Sequence, residues 1–266
     1  MKHKTKILVD RFTGILSSWK GVECITLNEA ALSDTLDPYF ALILDVFCSD
    51  KIPDADERFV QYGDDVAAFE SSGLNEKDRF LIGDIPVRLE YKSVEKIEHI
   101  VDIAVNKNES LWLIKDSGTY SFYRLANSEI IFARTDWMHK IKKELENIGD
   151  DFWEEMRNIA QSRMEHFLSD LGAACFQNDK FHYLIASAGF IKNACLTLFC
   201  INKRFEPSHR AYYKQVCELN ALPVSFITEF ETFLDNSHDV ELDSKFYIAK
   251  RIALKIISSD IITENI

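Results

Sequence analysis

Glycine and proline are scarce in this chain, nine and five among 266 residues. So few chain-breakers leave no room for a long flexible linker, and no low-complexity segment is present. Positive charge is also short: 31 Lys and Arg stand against 43 Asp and Glu, a formal net charge of -12. That balance argues against a protein held on nucleic acid mainly through phosphate contacts, although a local basic pocket remains compatible with it. The six cysteines, Cys24, Cys48, Cys175, Cys195, Cys200 and Cys217, include no CxxC pair and no histidine neighbour at zinc-site spacing. Most lie in apolar runs and read as small buried hydrophobes, a usage that predicts a cytoplasmic location. The basic N-terminus carries too short an apolar stretch for a secretory signal. No Walker A loop, Rossmann glycine pattern or GxSxG elbow occurs, which removes the commonest nucleotide-loop and serine-hydrolase signatures. Internal repeats are lacking too.

What the chain does have is globular composition, 47% hydrophobic and 28% charged. Residues 4–19 place Ile7, Leu8, Phe12, Ile15, Leu16 and Trp19 at helical spacing. Val22 to Leu27 reads as a first strand and Tyr39 to Phe47 as a second. Further strands are expected at Val66 to Phe69, at Arg79 to Ile82 and, after a turn at Gly83-Asp84, at Ile85 to Tyr91, and at Ile130 to Ala133, with helices at Asp54 to Tyr62, from Ser93, at Thr119 to Leu125 and at Trp137 to Ile148. Ser71 to Asp78 reads as a polar loop. After Gly149 every pattern is helical, beginning with a stripe from Phe152 through Met156, Ala160 and Met164 to Leu171. The expected architecture is therefore α+β: a mixed sheet domain over residues 1–148 and a helical bundle over 149–266. Tyr183 to Ile201 is apolar enough to raise a membrane span, but Lys192 and Asn193 at its centre favour the core helix of the bundle.

The most informative stretch is the second strand, whose near-continuous apolar run predicts cover on both faces. Asp45 interrupts it, on the face shared by Ile43 and Phe47. A carboxylate there needs a basic partner, a shared proton or a metal ion, unless it lies in water at a fraying strand end. Glu90 sits in a later strand between Arg88 and Lys92, and a surface salt bridge with either would account for it. If the two strands are neighbours, Asp45 and Glu90 converge and could hold Mg²⁺, with Asp37 as a possible third ligand. In the helical half, Arg163, Glu165, His166 and Asp170 share one helix, where a solvated salt-bridged face is the plain alternative. Lys192, if buried among apolar neighbours, needs a carboxylate or a phosphate.

The order helix, strand, small-residue loop, Asp-bearing strand and second acidic strand resembles the nucleotidyltransferase superfamily. DPYFALILDVF and DRFLIGDIPVRLEYK are similar to uncharacterised bacterial members. QSRMEHFLSDLGAA and FCINKRFEPSHR are similar to the helical domain of aminoglycoside-type nucleotidyltransferases. The likeness covers nearly the whole chain and implies Mg²⁺-dependent transfer of a nucleoside monophosphate from ATP or another NTP to a hydroxyl, on a small molecule or a protein. It implies metal ligation by Asp45 and Glu90, with Asp37 as substitute, Glu165 as base towards the acceptor, and Arg88, Lys92, Arg163 and Lys192 as nucleotide-binding cations. The chain departs from the family where the first Asp of Asp-x-Asp falls at Ile43, and where no Gly-Ser occurs near Asn28 to Ala31. A second reading is therefore a nucleotide-binding or regulatory protein on an eroded catalytic scaffold, and a third is a purely structural interaction module.

Overall fold

The computed structural model describes residues 3–28, 41–73, 76–107, 110–111, 119–235 and 242–258. The fold is α+β, and the chain forms two compact units, one of Met1–Lys107 with Ser121–Ile148 and one of Asn108–Tyr120 with Gly149–Ile266.

The first unit is built on strands β1 (Val22–Leu27), β2 (Leu42–Cys48), β3 (Val66–Ser71), β4 (Lys77–Ile82), β5 (Ile85–Ser93) and β6 (Glu129–Ala133), in the order β3-β4-β5-β2-β1-β6. β2 and β5 pair in parallel and the other neighbours are antiparallel. The central pair is thus β2 and β5, and the apolar run of β2 is explained by cover on both faces. On one face Leu42, Leu44, Val46 and Leu89 meet Phe12 and Leu16 of helix α1 (His3–Ser17) in one core. On the other face Phe47 packs against Trp137 of helix α5 (Trp137–Glu146), ring centroids 5.4 Å apart. Helix α2 (Ala55–Tyr62) opens with a capping box between Asp54 and Glu57, and α3 (Val94–Asn106) with Ser93, whose Oγ accepts from the Lys96 amide at 3.3 Å. Helix α4 (Tyr120–Asn127) precedes β6.

The expected loop over Ser71 to Asp78 ends sooner than its polar composition suggests. Lys77 and Asp78 already belong to β4, and Asp78 is fully buried. Its carboxylate holds the equally buried Arg58 through two bonds, Nε to Oδ2 at 2.8 Å and Nη2 to Oδ1 at 2.9 Å. Tyr62 and Tyr91 hydroxyls donate to the same Oδ2 at 2.6 and 2.8 Å, and Arg58 also reaches the Pro53 carbonyl and Ser71 Oγ. Burial pushes the Asp78 carboxyl up, but the hydrogen bonds from Arg58, Tyr62 and Tyr91 outweigh it and hold its pKa below the ordinary value.

The described residues of the second unit are helical apart from turns. Helices α6 (Asp150–Gln177) and α7 (Lys180–Ile201) form a hairpin, turned at Asn178 in the left-handed conformation and restarted by Asp179, whose side chain accepts from the Phe181 and His182 amides. Shorter helices α8 (Tyr212–Cys217) and α9 (Phe226–Leu234) follow, and α10 (Leu242–Ile257) packs on α6 and α9. From Asn193 to Cys200 every residue of α7 is buried. This helix is long and apolar enough to cross a membrane, and just over half of its most apolar window is buried within the protein.

Candidate functional site

The parallel register of β2 and β5 sets Asp45 directly beside Glu90. The two carboxylates expected from the sequence therefore do converge. Asp45 does not lie in water at a strand end: it is mid-strand, with its side chain 2% exposed. Glu90 is no surface residue either, at 13%.

What meets them is a third side chain absent from the sequence reading, Arg124 of α4. Its Nε donates to Asp45 Oδ2 at 3.1 Å, its Nη2 to Asp45 Oδ1, and its Nη1 to Glu90 Oε2 at 2.8 Å. Lys92 Nζ pairs with Asp45 Oδ1 at 3.0 Å, and Arg88 Nε with Glu90 Oε1 at 3.1 Å. Each of the four carboxylate oxygens thus faces a cationic nitrogen. Three cations against two carboxylates leave the cluster one net positive charge, on a protein that is strongly acidic as a whole. Burial pushes the Glu90 carboxyl up, but Arg124, Lys92 and Arg88 outweigh it and hold its pKa below the ordinary value. Burial draws the Lys92 ammonium pKa down, partly opposed by Asp45.

This arrangement does not fit Mg²⁺ as it stands. The ion needs oxygen ligands at about 2.0–2.1 Å in near-octahedral geometry, and here a guanidinium bridges the two carboxylates that would supply them. Among the described residues no group of three or more His, Cys, Asp or Glu is placed to hold a metal. Asp37 lies outside the described residues.

A cavity of about 540 Å³ adjoins the cluster at the carboxyl ends of β2 and β5, where open sheets usually bind ligands. Lys51, Arg58, Tyr91, Lys92 and Lys96 line it together with the acidic Asp50, Asp54 and Glu76, and Lys92 belongs to both cavity and cluster. Cys48 lines it too, but burial pushes its thiol up to about 12, which leaves no thiolate for nucleophilic chemistry near neutral pH.

The remaining candidates belong to the second unit. Glu165 is exposed on α6 and accepts from Gln161 Nε2 at 3.0 Å. Arg163 is half-buried on the same helix, and His166 lies 3.6 Å from Asp170. Lys192 is exposed on α7, so the burial that made it a candidate is absent and water solvates its ammonium. Arg124 could have been suspected from one signal: it is the lone charge in the helical stretch YSFYRLAN, between buried Tyr123 and Leu125. Nothing in the sequence names its partners, which lie 34 and 79 residues away.

No protein-family model matches this sequence, and neither does any curated protein. A solved structure does match: a nucleotidyltransferase-like protein from Exiguobacterium sibiricum 255-15, with a TM-score of 0.51 and 10% identity, over 95% of this chain and 74% of the other. The fold is nucleotidyltransferase-like. In this chain the paired acidic strands expected from the sequence are present and adjacent, and their carboxylates are bridged by an arginine.

Proposed function

We propose that this protein is a nucleotide-binding, regulatory member of the nucleotidyltransferase scaffold that does not carry out Mg²⁺-dependent transfer. The observation that carries this reading is the Arg124 guanidinium between Asp45 and Glu90. Metal-dependent transfer relies on carboxylates that hold the ion against the phosphates, and here both are spent on side-chain cations. A positively charged cluster beside a cavity of ligand size supports binding of a phosphate-bearing molecule without metal. The overall likeness to a nucleotidyltransferase-like protein makes a nucleoside triphosphate the first ligand to try.

A second reading keeps transfer to a hydroxyl acceptor, with Asp45 and Glu90 holding Mg²⁺, an aminoglycoside-type helical unit and Glu165 as base. The adjacency of the two carboxylates in register favours it. Calorimetric titration with ATP in EDTA and in Mg²⁺, alongside a pyrophosphate-release assay, separates the two. The first reading expects binding in both buffers, no release, and about tenfold weaker binding in Lys92→Ala, the size of one charge-assisted contact. Release that requires Mg²⁺ and is lost in Asp45→Asn would hand the site to the transferase. No binding of any nucleoside triphosphate in either buffer leaves an interaction module.

A further inference from the structure

We infer that Arg124 is a resident cation, holding the place that a divalent ion would need and thereby closing the Asp45–Glu90 pair to metal. This does not rest on nucleotide binding. It follows from the geometry of the pair and from the partners that each carboxylate keeps. Among Arg88, Lys92 and Arg124, only the guanidinium of Arg124 touches both carboxylates; Lys92 is paired with Asp45 and Arg88 with Glu90. Removing Arg124 therefore leaves each carboxylate one flanking cation and opens the position between them. Two acidic side chains brought side by side by a strand register, with nothing bridging them, repel each other and favour a cation. The Arg124 side chain is only 11% exposed. A divalent ion entering the wild-type site must expel a guanidinium already bound through three nitrogens, whereas in a variant without it the ion meets an open pair.

The site is consequently a metal centre with the metal replaced by a covalently attached charge. It would be insensitive to chelators and to divalent-ion concentration, unlike the metal-dependent chemistry that the scaffold implies.

The test uses Mn²⁺ alone as probe, read by the loss of its free-ion electron paramagnetic resonance signal and by the thermal midpoint of the full-length protein. Wild type is expected to show no shift in midpoint. Arg124→Gln should unfold at a lower temperature than wild type, bind Mn²⁺ at least tenfold more tightly, and recover part of the lost midpoint when Mn²⁺ is added. Adding Asp45→Asn should abolish that gain, which locates the ion at this pair and not elsewhere on an acidic surface. If Arg124→Gln fails to fold, Arg124→Lys decides: one ammonium replaces a guanidinium bound through three nitrogens, so the pair is held less firmly and Mn²⁺ should bind more tightly than to wild type. Equal Mn²⁺ affinity in wild type and variant overturns the inference, and so does a gain that survives Asp45→Asn. Because ATP takes no part, a protein that fails to bind nucleotide leaves this result standing, and Mn²⁺ binding by wild type leaves nucleotide binding to be judged separately.

Discussion

Asp78 shows how much a single side chain can hold. Its carboxylate accepts from Arg58, Tyr62 and Tyr91, and Asp78, Arg58 and Tyr62 are fully buried. Replacing it with Asn leaves the Arg58 charge buried without its counterion, and breaking such a pair costs about 3–5 kcal/mol. Urea denaturation should show that loss at neutral pH. The same carboxyl sets an acid limit. Its folded pKa lies below the ordinary 3.8, so its stabilisation is complete above that value and lost as pH falls through the lower, folded one. An acid titration of stability should therefore be shallower in Asp78→Asn than in wild type over that range. Equal slopes would place the acid sensitivity elsewhere, with Glu90, whose pKa is also lowered, next in line.

Two glycines carry opposite expectations for the helices that contain them. Gly14 lies exposed in α1, and a Cβ added there would meet nothing within 4 Å, so Gly14→Ala should stabilise by the helix-propensity difference, about 1 kcal/mol. In α7 a Cβ on Gly189 would run into the Phe167 ring, and Gly189→Ala should cost about 1–3 kcal/mol through overpacking. Thermal melts of the two variants should move in opposite directions; a stabilised Gly189→Ala would mean that the α6–α7 contact is loose. This contact also marks where sequence reading stops. Apolar periodicity revealed α6, α7, β1, β2 and β5, because burial of one face or of both writes itself into residue spacing. It even placed Asp45 and Glu90 on strands that turned out to be neighbours. It could not reveal Arg124, since the need for that guanidinium is created by a register between β2 and β5 that no local pattern encodes. Nor could it reveal Asp78, whose neighbours in sequence are polar while its neighbours in space are Arg58 and two tyrosines. The expected burial of Lys192 errs in the opposite sense: apolar residues surround it in sequence, but its own side of α7 is exposed.

At the level of the whole molecule, each unit has its own hydrophobic core, one around Phe12, Leu44 and Leu89 and one around Phe190, Phe199 and Phe230. Cores without shared members open separately. Phe199→Ala, costing about 3–5 kcal/mol, should speed amide hydrogen exchange throughout α6, α7 and α10 and leave β1, β2 and β5 protected as in wild type. Exchange that quickens equally in the sheet would show a single cooperative unit instead.

The division between these cores does not follow the chain in one step. Residues 108–120 cluster with the helical unit, in which Thr119 accepts from the buried Glu206 amide at 2.7 Å, before the chain returns at Ser121 to the sheet unit and supplies Arg124. The polypeptide therefore passes from one unit to the other three times, after residues 107, 120 and 148. A gene fusion or recombination event with one breakpoint cannot exchange either half intact: a cut after 148 separates Thr119 from the helical half that it serves, and a cut after 107 carries Arg124 and β6 away from the strands they complete. The two halves are therefore bound to be inherited together.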